Sequence, residues 1–96
     1  MIKSYPIYWT READISYFES ILFILETWSL KEVGYFESLT NELLLNLSSN
    51  LKLCPELKKL NVRKCTISDQ TSLVYRITGN AIELISFIDN RSDHNY

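Results

Sequence analysis

The side chains with the widest chemical reach lie in the second half of the chain. Between Lys52 and Lys64 come five cations, Lys52, Lys58, Lys59, Arg63 and Lys64, against a single acid, Glu56. Such a patch fits either an anionic partner or an ordinary solvated loop and strand edge. Cys54 and Cys65 stand eleven apart, without metal-ligand spacing or a Cys-x-x-Cys motif, and one histidine, His94, gives a metal site little support. Nothing in the sequence places that base near either cysteine, so two reduced, partly buried thiols are expected. With two glycines in all, the chain has no glycine-rich phosphate loop. A conventional metabolic enzyme is not expected, nor is a cofactor or a bound metal.

Charge is unevenly spread. Residues 1 to 50 carry Lys3, Arg11 and Lys31 against seven acids, whereas 51 to 96 carry seven bases against five acids, giving −2 overall. The net sign argues against a general nucleic-acid binder, and the local basic patch keeps a more specific anionic partner open. The longest apolar run, Ile21 to Leu25, is far short of the roughly 18 residues a membrane span needs. Met1-Ile2-Lys3-Ser4-Tyr5-Pro6 has no signal-peptide core, and a cytoplasmic location is expected. At 96 residues one core is expected, hence a single domain over 1–96 with a short polar tail at 89–96.

The elements that must position these side chains follow from periodicity. Ile7-Tyr8-Trp9 is a short β-prone run, and Thr10 behind it is a good helix cap, with Glu12 and Asp14 favouring the first-turn dipole. In the helix that follows, Ile15, Phe18, Ile21, Leu22, Ile24, Leu25 and Trp28 share one half of the wheel, opposite Glu12, Ser16, Glu19, Glu26 and Thr27. Phe23 falls in the polar arc, either as an isolated exposed aromatic or as part of a partner-binding surface. Ser29-Leu30-Lys31-Glu32 has the form of a capping box and starts a second helix that buries Val33, Phe36, Leu39, Leu43 and Leu47. The short connection predicts an antiparallel helical hairpin.

Residues 51 to 61 read as a loop. Val62–Ser68, Ser72–Thr78 and Ala81–Ile88 are rich in β-branched and aromatic residues and are separated by Asp69-Gln70 and Gly79-Asn80, which predicts an antiparallel meander. Leu73, Tyr75 and Ile77 alternate with Val74 and Arg76, so one face of the middle strand can pack on the helices. The predicted architecture is therefore α+β, in the order β-α-α-β-β-β.

The ordered set of strand, helical hairpin, Pro55-Glu56-Leu57, Val62-Arg63-Lys64, Ser72-Leu73-Val74-Tyr75-Arg76 and Phe87-Ile88-Asp89-Asn90-Arg91 resembles the RelE/ParE toxins over nearly the whole chain. That resemblance implies the toxin of a bacterial type II toxin–antitoxin pair, linked to growth inhibition and plasmid stabilisation. It also implies a cognate antitoxin as partner, with operator DNA reached only through the antitoxin. The family has two mechanisms. RelE-like members enter the ribosome and cleave messenger RNA without a metal: the RNA 2′-hydroxyl attacks the adjacent phosphate, cations stabilise the developing charge, and a side chain moves protons.

By resemblance, that role would fall to Arg63 and Arg91 on phosphate, with Lys64 assisting and His94 or Tyr96 as proton carrier. The set is incomplete. Cys65 stands where a second lysine is expected and Ser72 where the central strand would begin with arginine, while Asn95 interrupts the His-Tyr pair with which YoeB-like members end. ParE-like members lack this cluster and bind DNA gyrase instead. Asn90-Arg91-Ser92-Asp93 is similar to their Arg-Arg-Asp ending, and Arg91 could contact a target or pin the tail by pairing with Asp89 or Asp93. The expectation is therefore a ParE-like toxin that acts by binding. A metal-independent ribonuclease and an inactive antitoxin-binding or autoregulatory member are the alternatives. An antitoxin helix or added strand is expected on the helical hairpin or a sheet edge, with Phe23, Ile24, Leu45 and Arg91 as contacts.

Overall fold

The hydroxyl of Thr10 joins the first strand, the first helix and the last strand. In the computed structural model, which describes residues 4–91, Thr10 Oγ1 accepts from the Ala13 N–H at 3.1 Å, capping α1 (Arg11–Thr27). The same hydroxyl donates to the Leu84 carbonyl at 2.8 Å. It thereby fixes the helix start just after β1 (Ile7–Trp9). Trp28 and Ser29 connect α1 to α2 (Leu30–Ser49), and Ser29 Oγ accepts from the Glu32 N–H at 3.2 Å, as the capping sequence predicts.

The remaining elements are β2 (Glu56–Leu57), β3 (Val62–Thr66), β4 (Thr71–Thr78) and β5 (Ala81–Asp89). They form one sheet in the order β1-β5-β4-β3-β2, with β1 parallel to β5 and the other pairs antiparallel. The α+β class, the helical hairpin and the meander are as the sequence predicts. Two details differ. The expected loop over 51–61 contains β2, whose two residues pair with Arg63 and Val62. The β3–β4 connection is longer than Asp69-Gln70, because Ser68 Oγ accepts from the Gln70 and Thr71 N–H groups and turns the chain before the strand is complete. Gly79 supplies the positive φ of 62° at the β4–β5 turn, a backbone state glycine adopts without steric cost.

The core lies between the sheet and the hairpin and contains Ala13, Ile24, Val33, Phe36, Leu47, Leu73, Tyr75, Ile82, Leu84 and Phe87. Leu73 and Tyr75 are buried and Ile77 half-buried on the helix side, in keeping with the alternation of β4. On the opposite face Val62, Val74 and Ile88 form a smaller cluster with Leu57 and Ile85. A bulge explains how β5 serves both. Val74 pairs with Ser86 and Tyr75 with Leu84, so Ile85 is an extra residue that reverses the alternation. Ile82 and Leu84 before it and Phe87 after it therefore all reach the helix side.

The apolar arc of α1 is not its packing face. Of the seven residues on that arc only Ile24 is buried and Ile21 half-buried; α1 instead seats Ala13 and Ser16 against β5. These small residues allow close approach, and the polarity of Ser16 is satisfied by geometry. Its hydroxyl accepts from the Phe87 N–H at 2.8 Å and donates to the Glu12 carbonyl at 2.7 Å. On α2, Val33, Phe36 and Leu47 are buried, with Leu39 and Leu43 half-buried, as the sequence predicts. Among the described residues no helix is long and apolar enough to cross a membrane.

Candidate functional site

The cysteines are not free thiols. Cys54 and Cys65 are joined in a disulfide with a Cα separation of 5.3 Å, which corrects the expectation of two reduced side chains. Their spacing of eleven carries no known signature. The chain after α2 turns back over β3, and that tertiary path alone brings them together. Three further bonds hold the same segment. Tyr75 Oη donates to the Leu51 carbonyl at 2.8 Å and accepts from the Cys54 N–H at 3.4 Å, and the Lys64 N–H donates to the Pro55 carbonyl at 3.1 Å. Burial raises the pKa of the Tyr75 phenol above its ordinary value.

Arg63 belongs to this clamp. Its Nη1 donates to the Cys54 carbonyl at 2.7 Å, on the face of β3 that carries Cys65, whereas alternation turns Lys64 to the other face. Arg91 lies elsewhere. Its Nε and Nη2 donate to the two carboxylate oxygens of Asp89, each at 3.1 Å, and its guanidinium carbon sits 4.9 Å from the centroid of the Phe23 ring. The hydrogen bonds to Asp89 raise its pKa further, and the pair remains substantially exposed.

Register measures the gap between the two arginines. Arg63 pairs with Tyr75, whereas Asp89 pairs with Thr71, four residues along β4 and one strand beyond it. Arg63 is thus offset from Asp89 by about 13 Å along the strands and about 10 Å across them, and Arg91 lies two residues further on. The two cations named by resemblance are not brought onto one site. His94 and Tyr96 lie outside the described residues.

The two positions where the resemblance leads one to expect cations have structural roles. Cys65 is in the disulfide. Ser72 is fully buried and donates to Asn90 Oδ1 at 2.6 Å. Asn90 Nδ2 in turn donates to the Ser68 and Asp69 carbonyls, and its backbone N–H to the Gln70 carbonyl at 2.7 Å. Asn90 thus ties the end of β5 to the β3–β4 turn. The sequence reading missed this role, as it missed the anchor at Ser16. A lone polar residue beside a strand or within a helix reads as solvated until its partner from elsewhere in the chain is known.

Of the expected partner contacts, Phe23 and Arg91 come together at the mouth of a groove of about 430 Å³ between α1 and the end of β5, also lined by Glu12, Ser16, Glu19 and Asp89. Leu45 is 71% exposed on α2 and borders a separate depression with Tyr5 and Ile7. Ile24 is only 8% exposed and packs in the core, so it is not an accessible contact.

No family model and no curated relative matches the sequence. Solved structures do match the fold. The chromosomal ParDE toxin–antitoxin system from P. aeruginosa contains a chain with a TM-score of 0.74 at 16% identity, over 91% of this chain and 97% of that one. This chain has the RelE/ParE-type toxin fold. The YoeB dimer from Staphylococcus aureus has a TM-score of 0.63 at 20% identity, covering 97% of this chain and 99% of that chain. A YoeB/ParE toxin from Agrobacterium tumefaciens has a TM-score of 0.60 at 15% identity, covering 88% and 98%. The expected resemblance is thus present in three dimensions. In this instance of the RelE/ParE-type fold, a disulfide and a Ser72–Asn90 bond occupy the strand positions where the RNA-cleaving members are expected to carry cations.

Proposed function

We propose that the chain is the toxin of a type II toxin–antitoxin pair, that it arrests growth by binding a cellular protein, with DNA gyrase the precedent, and that a cognate antitoxin neutralises it. The single observation that carries the choice of binding over cleavage is the separation of Arg63 from Arg91, each engaged with its own acceptor. Phosphoryl-transfer chemistry on RNA needs several cations around one phosphate. Antitoxin contact is assigned to Phe23, Arg91 and Leu45, and operator DNA is reached only through the antitoxin.

The test is expression of the full chain in a bacterial host with and without the neighbouring reading frame. Growth arrest relieved by that frame supports the pair. Purified protein that neither binds gyrase nor traps its cleavage products on supercoiled DNA removes the gyrase version. Expression that leaves growth untouched replaces the toxin by an inactive antitoxin-binding member.

The ribonuclease reading draws on the likeness to the YoeB structure. It assigns phosphate contacts to Arg63, Lys64 and Arg91 and proton transfer to His94 or Tyr96. A-site cleavage in a translating extract, abolished by Arg63→Ala together with Arg91→Ala, would establish it. A cytoplasmic location is part of the proposal. There the Cys54–Cys65 bond would meet a reducing pool in which disulfides are rare.

A further inference from the structure

A further depression, of about 280 Å³, lies where the corner between α1 and α2 faces the β3–β4 turn. Ile24 and Phe36, both part of the core, line it, while Trp28 and Tyr35 beside them are 58% and 63% exposed. Neither of these large rings is used by the fold's core. Two exposed carboxylates complete the lining, Glu32 from the first turn of α2 and Asp69 from the β3–β4 turn. No lysine or arginine lines the depression, and Lys31, next to Glu32, is turned about 100° away around the helix. Among the described residues the ion pairs are Arg76–Glu83 and Arg91–Asp89, so neither lining carboxylate is in one.

We infer that this depression binds a free aliphatic diamine or polyamine. The ring faces attract ammonium groups and cover the methylenes between them, and the two carboxylates, on separate elements, each receive one terminal ammonium. An anion has the wrong sign, and a neutral apolar ligand would strip water from two carboxylates without replacing it. A peptide lysine or arginine brings one charge to a site with two. A metal ion lacks ligands here, since among the described residues no group of three His, Cys, Asp or Glu side chains could hold one. Glu32 lies at the positive end of the α2 dipole, which takes up part of its charge; Asp69 has no such partner and is the stronger contact.

Occupancy ties the helical corner to the β3–β4 turn. That turn is already held by Asn90, and Gln70 within it lines both this depression and the groove beside Phe23 and Arg91. Nothing in the site depends on the toxin reading.

The test titrates the full chain with putrescine and spermidine, with butylamine, butanediol and magnesium chloride as controls. It is read by fluorescence in Trp9→Phe, where Trp28 is the remaining tryptophan, and by hydrogen exchange of the unaltered chain. Putrescine is expected to bind about tenfold more tightly than butylamine, spermidine at least as tightly as putrescine, and butanediol not at all, with the preference weakening in salt. Exchange should slow at residues 28–36 and 68–70. Asp69→Asn should weaken putrescine binding about fivefold and Glu32→Gln about twofold, both with the melting curve in place, since the backbone bonds of these exposed residues are untouched. Trp28→Leu with Tyr35→Leu should weaken it about tenfold.

No binding of either polyamine, equal binding of butylamine and putrescine, protection elsewhere in the chain, or putrescine binding unaltered in Asp69→Asn would overturn the inference. The same response to magnesium would overturn it as general screening of surface acids. Nα-acetyl-lysine amide or Nα-acetyl-arginine amide binding as tightly as putrescine would also overturn it, assigning the depression to a peptide side chain. Loss of the growth-arrest result removes the toxin reading and leaves these titrations unaffected.

Discussion

Breaking the Cys54–Cys65 bond should destabilise the protein severely without changing its fold. The cross-link closes a segment with a sequence separation of 11. In the chain-entropy description a loop of that length restricts the unfolded state by about 3 kcal/mol at room temperature. A domain of this size has about 5–15 kcal/mol in total, so the bond supplies a large share. The corresponding fall in melting temperature is roughly 12–24 °C. The fold itself should persist, because Tyr75, Arg63 and the Pro55 carbonyl still hold the segment to β3 and β4. The measurement is thermal and urea unfolding of oxidised protein, of reduced protein and of Cys54→Ala with Cys65→Ala. Far-ultraviolet circular dichroism shows that the native spectra coincide. A melting temperature that moves by less than roughly 3 °C on reduction would refute the reasoning, as would alkylation of both cysteines in unreduced native protein.

Ser16→Ala leaves the Phe87 N–H buried without its acceptor and should cost about 1–3 kcal/mol in urea unfolding, a large effect for one hydroxyl. Asn90→Ala removes the partner of buried Ser72 and should cost a similar 1–3 kcal/mol or so, with faster hydrogen exchange at the β3–β4 turn; loss of stability without that local change would contradict the role given to Asn90. The raised pKa of Tyr75 means the folded state holds the phenolic proton more tightly than the unfolded chain, whose value is near 10.0. Its contribution is therefore complete below about pH 10 and is lost as pH rises through the folded value, so alkaline unfolding should be less steep in Tyr75→Phe. Arg91→Ala should leave the melting temperature nearly unchanged, because its pair with Asp89 is exposed, while weakening the antitoxin complex; unaltered binding would remove Arg91 from the interface.

Periodicity was sufficient for both helices, β1 and the three meander strands because their signals are local, but not for β2, whose two residues are a strand only by pairing with β3. Thr10 and Ser29 cap the helices they precede, and the alternation of Leu73, Tyr75 and Ile77 identifies the buried face of β4. What was not legible depends on partners far along the chain. Nothing near Ser16 announces the Phe87 N–H, and nothing near Ser72 announces Asn90. Which side of α1 meets the sheet was not legible for a related reason. A helix with apolar residues on more than one side gives no internal preference for which side meets the sheet, and the deciding property was the small volume of Ala13 and Ser16. For the candidate site, the resemblance marked Cys65 and Ser72 as departures from a cationic pattern. It could not say that each already has a structural bond.

The parallel pairing of β1 with β5 also sets the order in which the molecule can assemble. The helical hairpin and the β4–β5 turn close over a few residues, whereas Ile7 meets Ile82 only after nearly the whole chain has been drawn together. By loop-closure entropy bringing β1 and α1 together onto β5 costs about 3 kcal/mol more than a tight hairpin, and β1 itself adds three residue pairs to that contact. β1 should therefore be the last element to dock during folding and the first to leave on partial opening. Three residue pairs hold β1 to β5, and the backbone edge of β5 at Ile82 to Leu84 is uncovered whenever that strand departs.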